Sequence, residues 1–169
     1  MALYPIRTFG DPVLRMKPKP VTEIDDQIAT LVSDMIEIMY EAPGVGLAAN
    51  QMGVVKSIAV FDAQDDLGPR VMINPEILEL SGEWVYEEGC LSVPGRSWEI
   101  RRPAFARVKA LDLDGKEVEY AGEGLLGRVL QHEIAHLHGG LLIDVLDKPT
   151  RKRALKDLRD EALGLAHFE

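Results

Sequence analysis

The run His132-Glu133-Ile134-Ala135-His136, within QHEIAHLHGG, constrains this chain more than any other stretch. Two histidines four apart on a helix lie about 40° apart around the axis and roughly one turn along it. From that face both imidazoles reach one divalent metal. Glu133, next to the first of them, is close enough to exchange a proton with a water there. As a metal site, the run is expected on a helix with its histidine face turned toward whatever completes the site. Two solvated histidines are the bland alternative, and a chance match in a chain of 169 residues is a roughly one-in-a-hundred event by composition.

A catalytic metal of this type takes three protein ligands and keeps one position open. The third has several conceivable sources. A pattern that continues with x-x-G-x-x-H fails, because Gly139 fits but Leu142 stands where the histidine belongs. A downstream carboxylate is available in Glu161, in a segment that reads as an exposed helix. Cys90, in EEGCLSVPG, is the better candidate. A lone cysteine is ordinarily a small buried hydrophobe. This one sits in a Gly-flanked, Pro-bounded turn beside acidic residues, in a chain short of one ligand, and thiolate binds iron, zinc, cobalt or nickel well.

Length and composition bound the rest. A chain of 169 residues fits one domain, 1–169, around one core, and 46% hydrophobic with 28% charged residues is ordinary for a soluble protein. No apolar run reaches the roughly 18–20 residues of a membrane span, and MALYPIRTFGDP has no apolar stretch like that of a signal peptide. The single cysteine rules out an internal disulfide and fits a reducing compartment, so a cytoplasmic location is expected. A net charge of −9 argues against general nucleic-acid binding, DNA included. Yet Lys148, Arg151, Lys152, Arg153, Lys156 and Arg159 crowd near the C-terminus, as a solvated face or as a dock for an acidic partner.

Periodicity predicts a first helix over 25–41, with Ile28, Leu31, Val32, Met35 and Met39 inward, Thr22 or Asp25 as cap, and Pro43-Gly44 beyond its end. β-prone runs follow at 57–61, 71–74, 77–80 and 83–86. Asp114-Gly115 predicts a two-residue turn joining strands 105–113 and 116–120. The histidine helix is expected over 124–138, a strand or extended segment over 141–145, and a third helix from Pro149 to about residue 166. Short strands with separate helices give an α+β fold: antiparallel strands packed around a central metal-binding helix, with a C-terminal helix.

Three segments now stand in order: Gly44-Val45-Gly46-Leu47-Ala48-Ala49-Asn50-Gln51, Glu88-Gly89-Cys90-Leu91-Ser92, and Gln131-His132-Glu133-Ile134-Ala135-His136-Leu137. Together they resemble the three signature motifs of peptide deformylases, and the C-terminal helix is similar to that of the type 1 branch found in many bacteria. The resemblance implies hydrolysis of N-formylmethionyl peptides to formate and a free amino terminus. It assigns Cys90, His132 and His136 to the metal and Glu133 to the proton of the attacking water. It gives the side-chain amide of Gln51 and the N–H of Leu91 to the carbonyl oxygen. Fe²⁺ is the implied metal, with Zn²⁺, Ni²⁺ or Co²⁺ able to replace it. Leu125 and Val129 share a helix stripe with His132 and are expected to wall a methionine pocket, with Val45 and Tyr86 completing it by resemblance. Gly46 and Val45 offer an edge to an extended peptide. Arg128 is expected at the pocket's edge, Glu88 beside Arg102 or a turn or as an exposed acid, and His138 in solvent. Most members carry aspartate where this chain has Ala135, so an anion behind the ligands is expected to be missing. The basic C-terminal helix is expected to dock on the ribosome. The competing readings are a peptidase that cuts internal bonds and a non-catalytic metal-bound scaffold. An intact Glu133 argues against the scaffold.

Overall fold

The computed structural model describes residues 4–165. Helix α1 (Asp26–Glu41) forms where predicted, and Asp25 caps it by accepting the Ile28 N–H at 3.0 Å. Strand β1 (Gly46–Ala48) follows, then a 3₁₀ turn (Ala49–Met52) and β2 (Ile58–Phe61). β3 (Arg70–Ser81), β6 (Phe105–Leu111) and β7 (Glu117–Gly122) complete an antiparallel sheet in the order β1-β2-β3-β6-β7. β4 (Trp84–Gly89) and β5 (Ser97–Arg102) pair only with each other, as a separate hairpin. Helix α2 (Gly124–His136) and helix α3 (Lys148–Ala162) close the chain. The α+β reading therefore stands. Among the described residues, no helix is long and apolar enough to cross a membrane.

The sheet is buried on both faces at β1 and β2, and β2 shows how. Ile58 and Val60 pack with Ile28, Leu31, Val32, Met35 and Met39 of α1. Ala59 and Phe61, one residue out of phase, face Val129, Leu130, Ile134 and Leu137 of α2. The period of two in a strand splits one run between two helices. Each fully buried aliphatic side chain on these faces contributes about 1.5–3 kcal/mol relative to exposure. Small side chains on the α2 side (Ala48, Ala59, Ala110) let that helix lie close to the sheet.

Several local expectations are corrected. The runs at 71–74 and 77–80 are one strand, β3, whose register against β6 slips once across Pro75, between Ile73 and Glu76, and again between Ile77 and Glu79. Proline cannot donate to the ladder, and Asn74, at φ 51°, turns its side chain to pin Val21 instead. The β6–β7 connection is not a two-residue turn. Gly115 N–H closes on Asp112 carbonyl and Gly115 takes φ 74°, the type I turn with a left-handed glycine that makes a longer hairpin loop. The segment over 141–145 is a 3₁₀ turn (Leu142–Val145), not a strand, because Asp144 accepts the Leu141 N–H at 2.9 Å and holds the chain coiled. α2 stops at His136 and α3 at Ala162; the far end predicted for α3, near residue 166, lies outside the described residues.

Candidate metal centre

The two histidines project from the last turn and a half of α2, on a helix held down by the α2-side core. Their Nε2 atoms lie 3.2 Å apart, and His136 Nε2 lies 3.3 Å from Cys90 Sγ. One donor atom from each of Cys90, His132 and His136 falls within 4.8 Å of the others. Ligand bonds of about 2.0–2.3 Å in a tetrahedron separate donors by about 3.3–3.7 Å. The donor set is thus of the right kind and spacing for one divalent ion with an open position. Cys90 belongs to the β4–β5 hairpin, just past Gly89, and reaches the helix from across the cavity. Glu161, the alternative third ligand, is instead an exposed residue of α3 paired with Arg96 at 2.9 Å.

Behind the ligands lies a carboxylate that Ala135 does not supply. Glu88 on β4 contacts His132 Nδ1 at 2.5 Å, which leaves Nε2 to face the site. The expected absence of an anion is therefore corrected for His132. For His136, Nδ1 is buried with no partner among the described residues. Glu88 also accepts two hydrogen bonds from Arg102, at 2.8 and 2.9 Å, and one from Arg128 at 3.1 Å. Burial would raise its pKa, but His132 and Arg102 overcome that and hold the carboxyl at about 2. Arg128, expected at the pocket's edge, does line the cavity, with its side chain buried and engaged.

Glu133 is also buried, and its Oε2 meets no partner among the described residues. Burial pushes its carboxyl up to about 7, the charge of Glu88 adds to that, and His132 pulls the other way. Its side chain lies against Gly46, where a Cβ would collide with the carboxylate.

Gln51 is buried in the 3₁₀ turn after β1. Its Oε1 accepts the Ala48 N–H at 2.9 Å; its Nε2 donates to Ser92 Oγ at 3.0 Å and lies 3.7 Å from Cys90 Sγ. Its amide is therefore fixed in orientation beside the ligands. Leu91 follows Cys90 in the same turn, and its backbone N–H has no acceptor among the described residues. A cavity of about 540 Å³ opens beside this cluster, lined by Val45, Tyr86, Cys90, Leu91, Leu125, Val129, His132 and Glu133 among others. Gly46 is not on that lining; it backs Glu133. His138 is exposed.

Two polar residues of the quoted motifs carry unforeseen work. Asn50 donates from Nδ2 to the His136 carbonyl at 2.7 Å, tying the first motif to the last turn of α2. Ser92 orients Gln51. Both were visible in the motifs, but nothing local announces a partner 86 or 41 residues away.

A family model described as Polypeptide deformylase matches residues 3–152. The chain belongs to the peptide deformylase family. Peptide deformylase 1 of Clostridium perfringens is 52% identical over 144 residues, covering 85% of this chain and 98% of that one. The peptide deformylase of Stutzerimonas stutzeri is 50% identical over 160 residues, 94% and 95% of the two chains. Among solved structures, a peptide deformylase from Legionella pneumophila superposes with a TM-score of 0.88 at 43% identity over 99% of this chain and 100% of that one. That of Ehrlichia chaffeensis in complex with actinonin does so with a TM-score of 0.89 at 37% identity, covering 95% and 98%. The deformylases are metal-dependent hydrolases, and the three-donor cluster fits such a metal.

Proposed function

We propose that this chain removes the N-formyl group from N-formylmethionyl peptides and releases formate, with Cys90, His132 and His136 holding one metal ion. The convergence of those three donors at the wall of a peptide-sized cavity, in a member of the deformylase family, carries the reading. The metal, when bound, lowers the pKa of water and polarises a carbonyl. We infer Fe²⁺ in the cell, with Zn²⁺, Ni²⁺ or Co²⁺ able to replace it, since one thiolate and two imidazoles accept each of them.

The chain's own groups supply the rest. Glu133 takes the proton of the attacking water at its free Oε2 and later passes it to the departing amine. Gln51 Nε2 and the Leu91 N–H are the donors to the oxygen that gains negative charge; one such donor is typically worth about 10²–10³ in rate. β1 is an edge strand, so its side away from β2 is open to an extended peptide near Val45 and Gly46, while the Val45 carbonyl is already taken by the Asp62 N–H at 2.9 Å. Tyr86, Leu125 and Val129, with Val45, receive the methionine side chain. The whole chain, 1–169, is taken as one catalytic domain, a reading supported by the family match over 3–152.

A basic groove of about 650 Å³ runs along α3, lined by Lys148, Arg151, Lys152, Arg153, Lys156 and Arg159. It supports weak docking on ribosomal RNA, and with it a cytoplasmic location at the source of nascent chains. The deciding experiment compares release of formate from a formyl-Met tripeptide with release of fragments from casein by anaerobically purified, metal-loaded protein. Formate release alone is expected; casein cleavage without formate release would make this an internal peptidase.

A further inference from the structure

We propose that Arg128 is a positioning residue. Its guanidinium fastens the hairpin that carries Cys90 to the helix that carries both histidines, and so sets the spacing of the three donors. The inference rests on the metal-binding reading above.

The need for such a fastening follows from the topology. His132 and His136 ride on α2, which packs on the five-stranded sheet. Cys90 rides on β4–β5, which has no strand in that sheet. The third ligand therefore reaches the other two only if something holds the hairpin against the helix. Arg128 stands one turn before His132, on the same face, and is 3% exposed. It donates to the Trp84 carbonyl at 2.7 Å, to the Ile100 carbonyl at 3.0 Å and to Glu88 at 3.1 Å. Trp84 and Glu88 are on β4 and Ile100 is on β5, so one side chain binds both strands. The guanidinium also lies 5.0 Å from the centre of the Trp84 ring, which it covers.

Charge balance alone does not account for Arg128. Glu88 is already neutralised by Arg102, which meets it with two hydrogen bonds. A second buried cation on one carboxylate costs desolvation. What Arg128 adds is geometric: a planar fork with donors spread toward two strands, which an ammonium could not span. Removing it leaves the Glu88–Arg102 pair neutral and intact, so the protein is expected to fold.

The test uses full-length protein loaded with Co²⁺, whose thiolate-to-cobalt absorption reports the Cys90 bond directly, and follows release of the ion to excess EDTA. Arg128→Met keeps length and apolar bulk but loses every donor. It is expected to release Co²⁺ about 10–100-fold faster, the usual effect of losing a group that supports ligands, with a weakened thiolate band. Arg128→Lys, which can serve one or two of the three acceptors, should fall between Arg128→Met and the native protein. Val71→Ala, in the α1-side core away from the site, serves as a control that lowers the melting temperature without touching the hairpin. Native release from Arg128→Met, release no faster than from Val71→Ala, or no recovery in Arg128→Lys overturns the proposal. If the native protein takes up no Co²⁺, the metal-binding reading fails, and this inference fails with it.

Discussion

Replacing Gly46 with alanine tests whether the backbone of β1 was shaped around the catalytic carboxylate. A Cβ at this position would collide with the end of the Glu133 side chain, at 2.7 Å from Cδ and 2.9 Å from Cγ. Carbon atoms rest at about 3.5–4.0 Å, so Glu133 must retreat by about 1 Å. The carboxylate is the free end of a flexible chain, so stability should fall by only about 1–3 kcal/mol, the usual range for a small overpacking. Turnover should suffer far more, because a displacement of about 1 Å at the reacting groups costs on the order of 10²-fold. The ligands are untouched, so metal content should stay near one per chain. Formate release from a formyl-Met tripeptide, read through a coupled formate dehydrogenase, gives kcat; elemental analysis gives occupancy. Gly68→Ala is the comparison: its residue sits at φ +72° with nothing within 4 Å, so it pays a backbone cost away from the site. A metal-loaded Gly46→Ala protein with kcat within about threefold of the native value would refute the reasoning.

Further outcomes follow from the same geometry. Glu133→Gln should keep the metal and lose on the order of 10²–10⁴ in kcat, since proton transfer goes and no ligand does; near-native turnover would remove Glu133 from the role. Cys90→Ala should abolish stoichiometric metal in a folded protein and Cys90→Ser should weaken it, both read by elemental analysis after dialysis. Asp144 is held below the ordinary carboxylate range by Arg15, against the effect of burial. Its contribution is therefore present above pH ~4 and is lost as pH falls through its lowered value. Asp144→Asn should lower the melting temperature at pH 7, by roughly 0.5–1 kcal/mol of stability for a half-exposed pair, and the gap to the native protein should close in acid. Reversing Arg151, Lys152 and Arg153 to Glu should cut low-salt ribosome co-sedimentation while sparing hydrolysis of a free tripeptide; undiminished sedimentation would reduce the cluster to a solvated face.

Local pattern determined much of this protein. α1 was legible because its apolar spacing, its Asp25 cap and the Pro43-Gly44 stop all act within one helix length. The histidine helix was legible because two ligands four apart carry their geometry with them wherever the helix goes. The motif order through Gln51, Cys90 and His132 carries the resemblance to the family by itself. Other elements depended on partners. Gly46–Ala48 is a strand only because Ala59, Val60 and Phe61 lie opposite it, and three residues are too few to carry a period of their own. Ser97–Arg102, rich in charge, passes as a loop until β4 lines up against it. Position 135 carries no anion, and the carboxylate behind His132 comes from Glu88, 44 residues away. Arg128 reads as a cation at the pocket's edge, and its acceptors, the carbonyls of Trp84 and Ile100, come from a separate hairpin. Helix periodicity and capping are short-range, so sequence alone determines them; which buried charge meets which acceptor depends on where separate elements dock, and only the packed structure decides that.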